Sequence, residues 1–102
     1  MVKHVILWKL NDSLTPDEKE KVKKEIKAGL EGLKGRVPNI VEIKVNIDGL
    51  ETSNADVMLD STFTDYDALK SYSVNPLHVE VANTKVRPFT ASRTCMDYEV
   101  VL

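Results

Sequence analysis

A tyrosine and a histidine, Tyr72 and His78, are the two side chains best suited to acid–base chemistry in this sequence. Between them, Asn75 and Pro76 predict a break between two helices, because Asn is a favoured N-cap and Pro fits the first helical position. His78 then falls in the first turn of the second helix. The positive end of a helix disfavours imidazolium, so we expect His78 to stay neutral and able to accept a proton.

A purely structural role is the competing interpretation of these residues. Tyr72 would pack in the core with its hydroxyl at the rim, and His78 would only complete the start of a helix. The second histidine, His4, shares a strand face with Ile6 and Trp8. It either points into a cavity on that face or is a hydrogen-bonded core residue, and the residue types alone favour the core.

The composition is that of one soluble globular domain. The chain has 102 residues, of which 42% are hydrophobic and 29% are charged, as is ordinary for such a domain. A net charge of -2 argues against a nucleic-acid partner, because phosphate recognition needs a strongly cationic surface. Cys95 is the only cysteine, so no intramolecular disulfide can form and a cytoplasmic location is the default expectation.

Membrane and metal partners are not expected from the sequence. No apolar run approaches the ~20 residues that cross a bilayer, and the N-terminal run lacks the features of a signal peptide. His4, His78 and Cys95 do not have the spacing of a zinc site, and no calcium-binding loop is present. We therefore expect neither a metal nor an organic cofactor.

Periodicity predicts the secondary structure. Strands are predicted over 2–9, 40–47, 56–63 and 90–101. The capping box Thr15-Pro16-Asp17-Glu18 begins a helix that is predicted to run to about residue 34, and two shorter helical segments are predicted over 65–73 and 76–87. In the second strand, the predicted buried face consists of Val41, Ile43, Val45 and Ile47.

The order of these elements is βαββαβ, which predicts a ferredoxin-like α+β sandwich. Helices cover one face of such a sheet and leave the other face bare. The first strand carries large apolar residues on both faces, with Ile6 and Trp8 on one and Val5 and Leu7 on the other. A bare apolar sheet face needs a cover, so we expect a homodimer in which two sheets face each other as an α/β barrel.

Four segments carry a resemblance to a known family: MVKHVILWKL at 1–10, LKGRVPNI at 33–40, YSVNPLHVE at 72–80 and MDYE at 96–99. Together they resemble the stress-responsive A/B barrel (Dabb) domain family over nearly the whole chain. Members are small dimeric α+β barrels, and one plant member is a polyketide cyclase that acts by aldol condensation. The resemblance implies that Tyr72 and His78 are a catalytic pair and that His4 is a further cavity histidine.

The chemistry that the resemblance implies needs no cofactor. A neutral His78 would remove the acidic proton between two carbonyls, and the Tyr72 phenol would donate to the oxygen where negative charge develops. The chain departs from the family pattern at Asn75, where many relatives have histidine, and at Val57, where the plant cyclase has a pocket histidine. We expect these two residues and Trp8 to contact a ligand in a less polar cavity.

Three functions remain open at this level. The first is a cofactor-independent enzyme that acts on a small carbonyl compound. The second is a non-catalytic dimeric module that binds a small apolar ligand or serves in the stress response without one. The third, from the wider dimeric α/β-barrel superfamily, is a haem-degrading or quinone-forming monooxygenase, for which Trp8 and Asn75 give only weak support.

Overall fold

A four-stranded antiparallel sheet carries all the helices on one face in the computed structural model, which describes residues 1–101. In chain order the elements are β1 (Val2–Leu10), α1 (Pro16–Glu31), β2 (Ile40–Asn46), β3 (Val57–Phe63), α2 (Tyr66–Val74), α3 (Pro76–Val81) and β4 (Thr90–Glu99). The strand order is β2-β3-β1-β4, which is the ferredoxin-like arrangement that the sequence predicts.

β1 is a central strand, and its alternation determines what lies beneath the helices. It pairs antiparallel with β3 from Val2 opposite Phe63 to Trp8 opposite Val57, and with β4 on its other side. The side chains of Val2, Ile6 and Trp8 are buried under the helices together with His4. The predicted two-faced character of β1 is confirmed, since Leu7 on the opposite face is 40% exposed.

α1 begins at the predicted capping box. The Glu18 N–H donates to Thr15 Oγ1 at 3.2 Å, and the Thr15 N–H donates to Glu18 Oε1 at 2.8 Å. The helix ends at Glu31 rather than near residue 34, because the Leu33 N–H bonds to Leu30, three residues back, and Gly35 then reverses the chain at a φ of 86°. None of the helices within residues 1–101 is long and apolar enough to cross a membrane.

α1 and α3 approach each other closely at a glycine. A Cβ atom placed on Gly29 would lie 3.0 Å from Cγ1 of Val81. Glycine in a helix interior costs about 1 kcal/mol relative to alanine, so its presence here reflects the need for close contact. This contact sets the position of α3, the helix that carries His78.

The predicted buried face of β2 is wrong at one residue. The register against β3 shifts between Ile40, opposite Phe63, and Glu42, opposite Thr62. This bulge turns Val41 outward, where it is 36% exposed, while Ile43 and Val45 remain buried. A bulge of this kind is set by pairing with β3 and leaves no mark on the alternation of the sequence.

The predicted break between the second and third helices is confirmed. The Asn75 side-chain oxygen accepts from the Leu77 N–H at 2.9 Å, and Pro76 is the first residue of α3. α3 is shorter than predicted, because the chain widens at Ala82–Val86 into a π-helical turn in which the Arg87 N–H donates to the Ala82 carbonyl. A 3₁₀ turn, Arg87–Phe89, then leads into β4, which ends at Glu99 rather than at residue 101.

Candidate active-site cavity

A cavity of about 190 Å³ lies between the helix-covered face of the sheet and the helices. Its apolar wall comes from β1, β3, α1 and the π-helical turn and consists of Ile6, Trp8, Leu30, Leu59, Ala82 and Val86. Its polar lining consists of His4, Ser73, His78, Arg87, Thr90 and Arg93. The cavity therefore combines an apolar interior with two histidines and two arginines.

His78 lines the cavity as the third residue of α3 and is half-buried. Its Nδ1 lies 3.2 Å from the Ser73 carbonyl oxygen, so the Nδ1–H donates there and Nε2 remains an acceptor. Burial lowers the pKa of His78, and the nearby positive charges of Arg87 and Arg93 add to this effect. The imidazole is therefore neutral at pH 7, as we expected, although burial and not the helix end is the main cause.

Tyr72 is buried beside His78 rather than in the cavity wall. Its ring centre lies 4.2 Å from that of His78 and 4.9 Å from that of Phe63. Its hydroxyl is buried and has no hydrogen-bond partner among residues 1–101. Burial raises the pKa of Tyr72 well above its ordinary value, so the phenol stays protonated and can act only as a donor at neutral pH.

His4 combines both roles that the sequence left open, since it is buried, hydrogen-bonded and part of the cavity lining. Its Nδ1 lies 2.5 Å from Asp97 Oδ1, because the pairing of β1 with β4 places Asp97 directly opposite. A carboxylate on Nδ1 fixes the orientation of the ring. Asp97 was not singled out from the sequence, because its partner lies 93 residues away.

The three residues that we expected to contact a ligand have different positions. Trp8 lines the cavity. Val57 is only 1% exposed and packs in the core opposite Trp8 in the β1–β3 ladder, so it does not reach the cavity. Asn75 does not line the cavity either, and its side-chain oxygen is occupied by the cap of α3.

One group within residues 1–101 brings together three side chains of metal-binding type, namely His4, Cys95 and Asp97, whose ligand atoms all lie within 4.8 Å of one another. The His4–Asp97 separation of 2.5 Å is that of a hydrogen bond, whereas two ligands of a tetrahedral zinc ion lie about 3.3 Å apart. Burial and the Asp97 carboxylate raise the pKa of the Cys95 thiol, which opposes thiolate formation. The group is better described as an Asp–His hydrogen bond with a neighbouring thiol.

Comparison with known proteins identifies the family. The model of the stress responsive A/B barrel domain matches residues 2–100. The chain belongs to this family. The resemblance seen in the four sequence segments is thereby confirmed. No curated protein matches the Dabb chain significantly.

Solved structures agree on the fold of this Dabb domain. A dimeric protein of unknown function from Bacteroides fragilis, with a ferredoxin-like fold, is 31% identical, with coverage of 97% of this chain and 95% of that one and a TM-score of 0.90. A hydroxynitrile lyase from Passiflora edulis is 15% identical (98% and 93% covered, TM-score 0.73). An antibiotic biosynthesis monooxygenase is 12% identical (100% of both chains covered, TM-score 0.74). At these two lower identities the likeness extends to the fold alone.

Proposed function

We propose that this Dabb protein binds a small, largely apolar carbonyl compound in the cavity. The protein would catalyse proton transfer from the carbon next to the carbonyl without a cofactor. The observation that carries this proposal is the pair of histidines that line one apolar cavity, each fixed through Nδ1 by an acceptor of the protein. Both rings thereby have Nε2 available to accept a proton. Such a pair in a mostly apolar cavity is typical of a site for general acid–base chemistry.

In the proposed step, His78 is the base. Its Nε2 takes a proton from the carbon next to the carbonyl, and the electron pair of the C–H bond moves to the carbonyl oxygen to give an enolate. We assign the donation to that oxygen to Tyr72, whose protonated hydroxyl has no partner among the described residues and whose ring contacts the His78 ring. Because Tyr72 does not line the cavity, this step requires the neighbouring His78 ring to shift when the substrate binds. His4, held by Asp97, would position the substrate.

Proton exchange on a simple probe tests this assignment. The C2 protons of ethyl acetoacetate lie between two carbonyl groups, and their exchange in D₂O is followed by NMR with and without the protein. We expect the protein to accelerate this exchange and the His78→Gln variant to lose at least tenfold of the acceleration, as is typical when a general base is removed. Thermal unfolding of the variant serves as the control for folding. Unchanged exchange in a folded variant would remove His78 from the mechanism.

We infer that the protein forms a homodimer through the sheet face that the helices leave bare. Leu7, Met96 and Tyr98 on this face are 40%, 67% and 43% exposed. The Bacteroides fragilis protein, the relative at 31% identity, is described as dimeric, which supports the same assembly here. Sedimentation at micromolar concentration should give a dimer, and Met96→Glu should shift it toward the monomer. A monomeric parent protein would contradict the inference.

The other two functions have less support. A haem group needs a wide cleft, whereas the cavity of about 190 Å³ is smaller than the 300–1,000 Å³ that is common for ligand pockets. A non-catalytic binding module would use the same apolar cavity without any need for the fixed ring nitrogens of His4 and His78. The exchange assay on ethyl acetoacetate separates this module from the enzyme.

A further inference from the structure

The cavity lining contains basic side chains but no acidic one among the described residues. It includes the guanidinium groups of Arg87 and Arg93 and the imidazoles of His4, which is bonded to Asp97, and His78, which is neutral at pH 7. The chain as a whole carries a net charge of -2, so this local excess of basic groups runs against the overall charge. A cavity with basic groups at one side and apolar groups elsewhere is complementary to an amphipathic anion.

The two arginines reach the cavity from different elements. Arg93 lies on β4 opposite Trp8, which places it on the helix-covered face of the sheet. Arg87 directly follows the π-helical turn, and the extra residue of that turn determines the position of Arg87 beside the cavity. Both residues are exposed, so they lie at the mouth of the cavity, and both are close enough to His78 for their positive charge to lower its pKa.

Neither guanidinium has an acidic partner among residues 1–101. The ion pairs within residues 1–101 use only lysines and His4 as their basic member. Arg87 donates a hydrogen bond to the neutral side chain of Asn83. The carboxylate of Asp97, on β4, is hydrogen-bonded to His4. Arg93 interacts with the Cys95 thiol, but no carboxylate among the described residues neutralises either guanidinium group, so both can bind an anion.

We propose that the ligand of this cavity carries a carboxylate or phosphate group, which Arg87 and Arg93 bind at the mouth while a short hydrocarbon chain fills the apolar interior. This proposal rests on the proposed function of the same site and names its substrate class. Guanidinium groups bind both anions through paired N–H donors. The volume of about 190 Å³ equals that of about six water molecules, which limits the ligand to a small one.

An anion at the mouth also changes the base. Burial is the main cause of the lowered pKa of His78, and the positive charges of His4, Arg87 and Arg93 add to it; the negative charge of the ligand offsets this second contribution. A bound carboxylate should therefore raise the pKa of His78 toward neutrality and make it a stronger base when the site is occupied. Binding of the correct ligand and activation of the base are thus coupled through one electrostatic effect.

Binding of pentanoate, pentyl phosphate and neutral pentanamide, followed by NMR and calorimetry, tests the proposal. We expect one or both anions to bind at least tenfold more tightly than pentanamide, because hydrogen bonds between a guanidinium and an anion are stronger than those to a neutral amide. The tighter anion identifies which group the site takes. Each of Arg87→Gln and Arg93→Gln should weaken anion binding about tenfold without affecting pentanamide. Arg36→Gln, which replaces an exposed arginine absent from the cavity lining, is the matched control.

The outcomes separate this proposal from the proposed function. Equal affinity for pentanoate, pentyl phosphate and pentanamide would overturn the anion site but leave an apolar binding cavity. Anion binding that persists in the double variant of Arg87 and Arg93 would also overturn it. If none of the three compounds perturbs His78 or Trp8 resonances, both proposals fail. An upward shift of the His78 pKa with pentanoate, lost in Arg93→Gln, would support the coupling.

Discussion

Replacing Tyr72 with phenylalanine should stabilise the fold, although we assign its hydroxyl a role in chemistry. The hydroxyl is buried and has no hydrogen-bond partner among the described residues. A buried polar group without a partner costs about 1–3 kcal/mol. Phenylalanine retains the ring contacts with Phe63 and His78 and leaves a void of only about 10 Å³, which costs about 0.2 kcal/mol at 24 cal/mol per Å³.

The net expectation is a rise in the free energy of unfolding of about 1 kcal/mol. For a domain of this size that equals a rise in Tm of about 4–8 °C, or a urea midpoint higher by about 0.3–1 M. Tyr66→Phe is the matched control, because Tyr66 is 55% exposed and its hydroxyl meets solvent, so no change is expected there. A Tyr72→Phe midpoint lower than that of the parent protein would refute the reasoning, since it would mean that the hydroxyl is hydrogen-bonded.

The same substitution has a consequence at high pH. Burial raises the pKa of Tyr72 above its ordinary value of 10 in the folded protein. Above pH 10 the unfolded chain loses this proton while the folded protein keeps it, so the free energy of unfolding falls as pH rises. Tyr72→Phe should make this fall less steep. If the enzyme proposal holds, the stabilised variant should also lose most of its proton-exchange activity, which would show that the hydroxyl serves chemistry at the expense of stability.

Three further predictions concern the scaffold and the base. Thr15→Ala removes the N-cap of α1 and should lower the free energy of unfolding, measured by urea denaturation, by about 1 kcal/mol. Ser13→Ala is the neutral control, and equal urea midpoints for the two variants would contradict a stabilising role of the cap. Gly29→Ala would place a Cβ 3.0 Å from Val81, so it should displace α3 and weaken ligand binding, although alanine has a better helix propensity than glycine. Unchanged ligand affinity would show that the contact at Gly29 does not position α3. Because the folded pKa of His78 is lowered, stability should decline as pH falls through 6.5, the value in the unfolded chain, and His78→Gln should make this decline smaller in pH-dependent melting. If His78→Gln shows the same decline, the loss of stability at low pH arises from titratable groups other than His78.

Much of the scaffold could be predicted from neighbouring residues. The capping box at Thr15, the helix break at Asn75 and the two apolar faces of β1 are local patterns, and each is confirmed. Together with the order of the elements they were sufficient to predict the ferredoxin-like sheet, because these signals depend on residues within a few positions of one another. The exceptions, such as the outward turn of Val41, arise where a strand meets its partner.

The candidate site depends on contacts that no local pattern contains. The sequence by itself determined that His4 and His78 are its only histidines and that each sits on an element able to face a core. Only the tertiary structure decided that Asp97 holds His4, that Arg87 and Arg93 meet at one cavity, and that Val57 and Asn75 stay outside it. The physical reason is that strand register and helix packing are set by the whole core, which brings His4 and Asp97 of the site together across 93 positions of the chain.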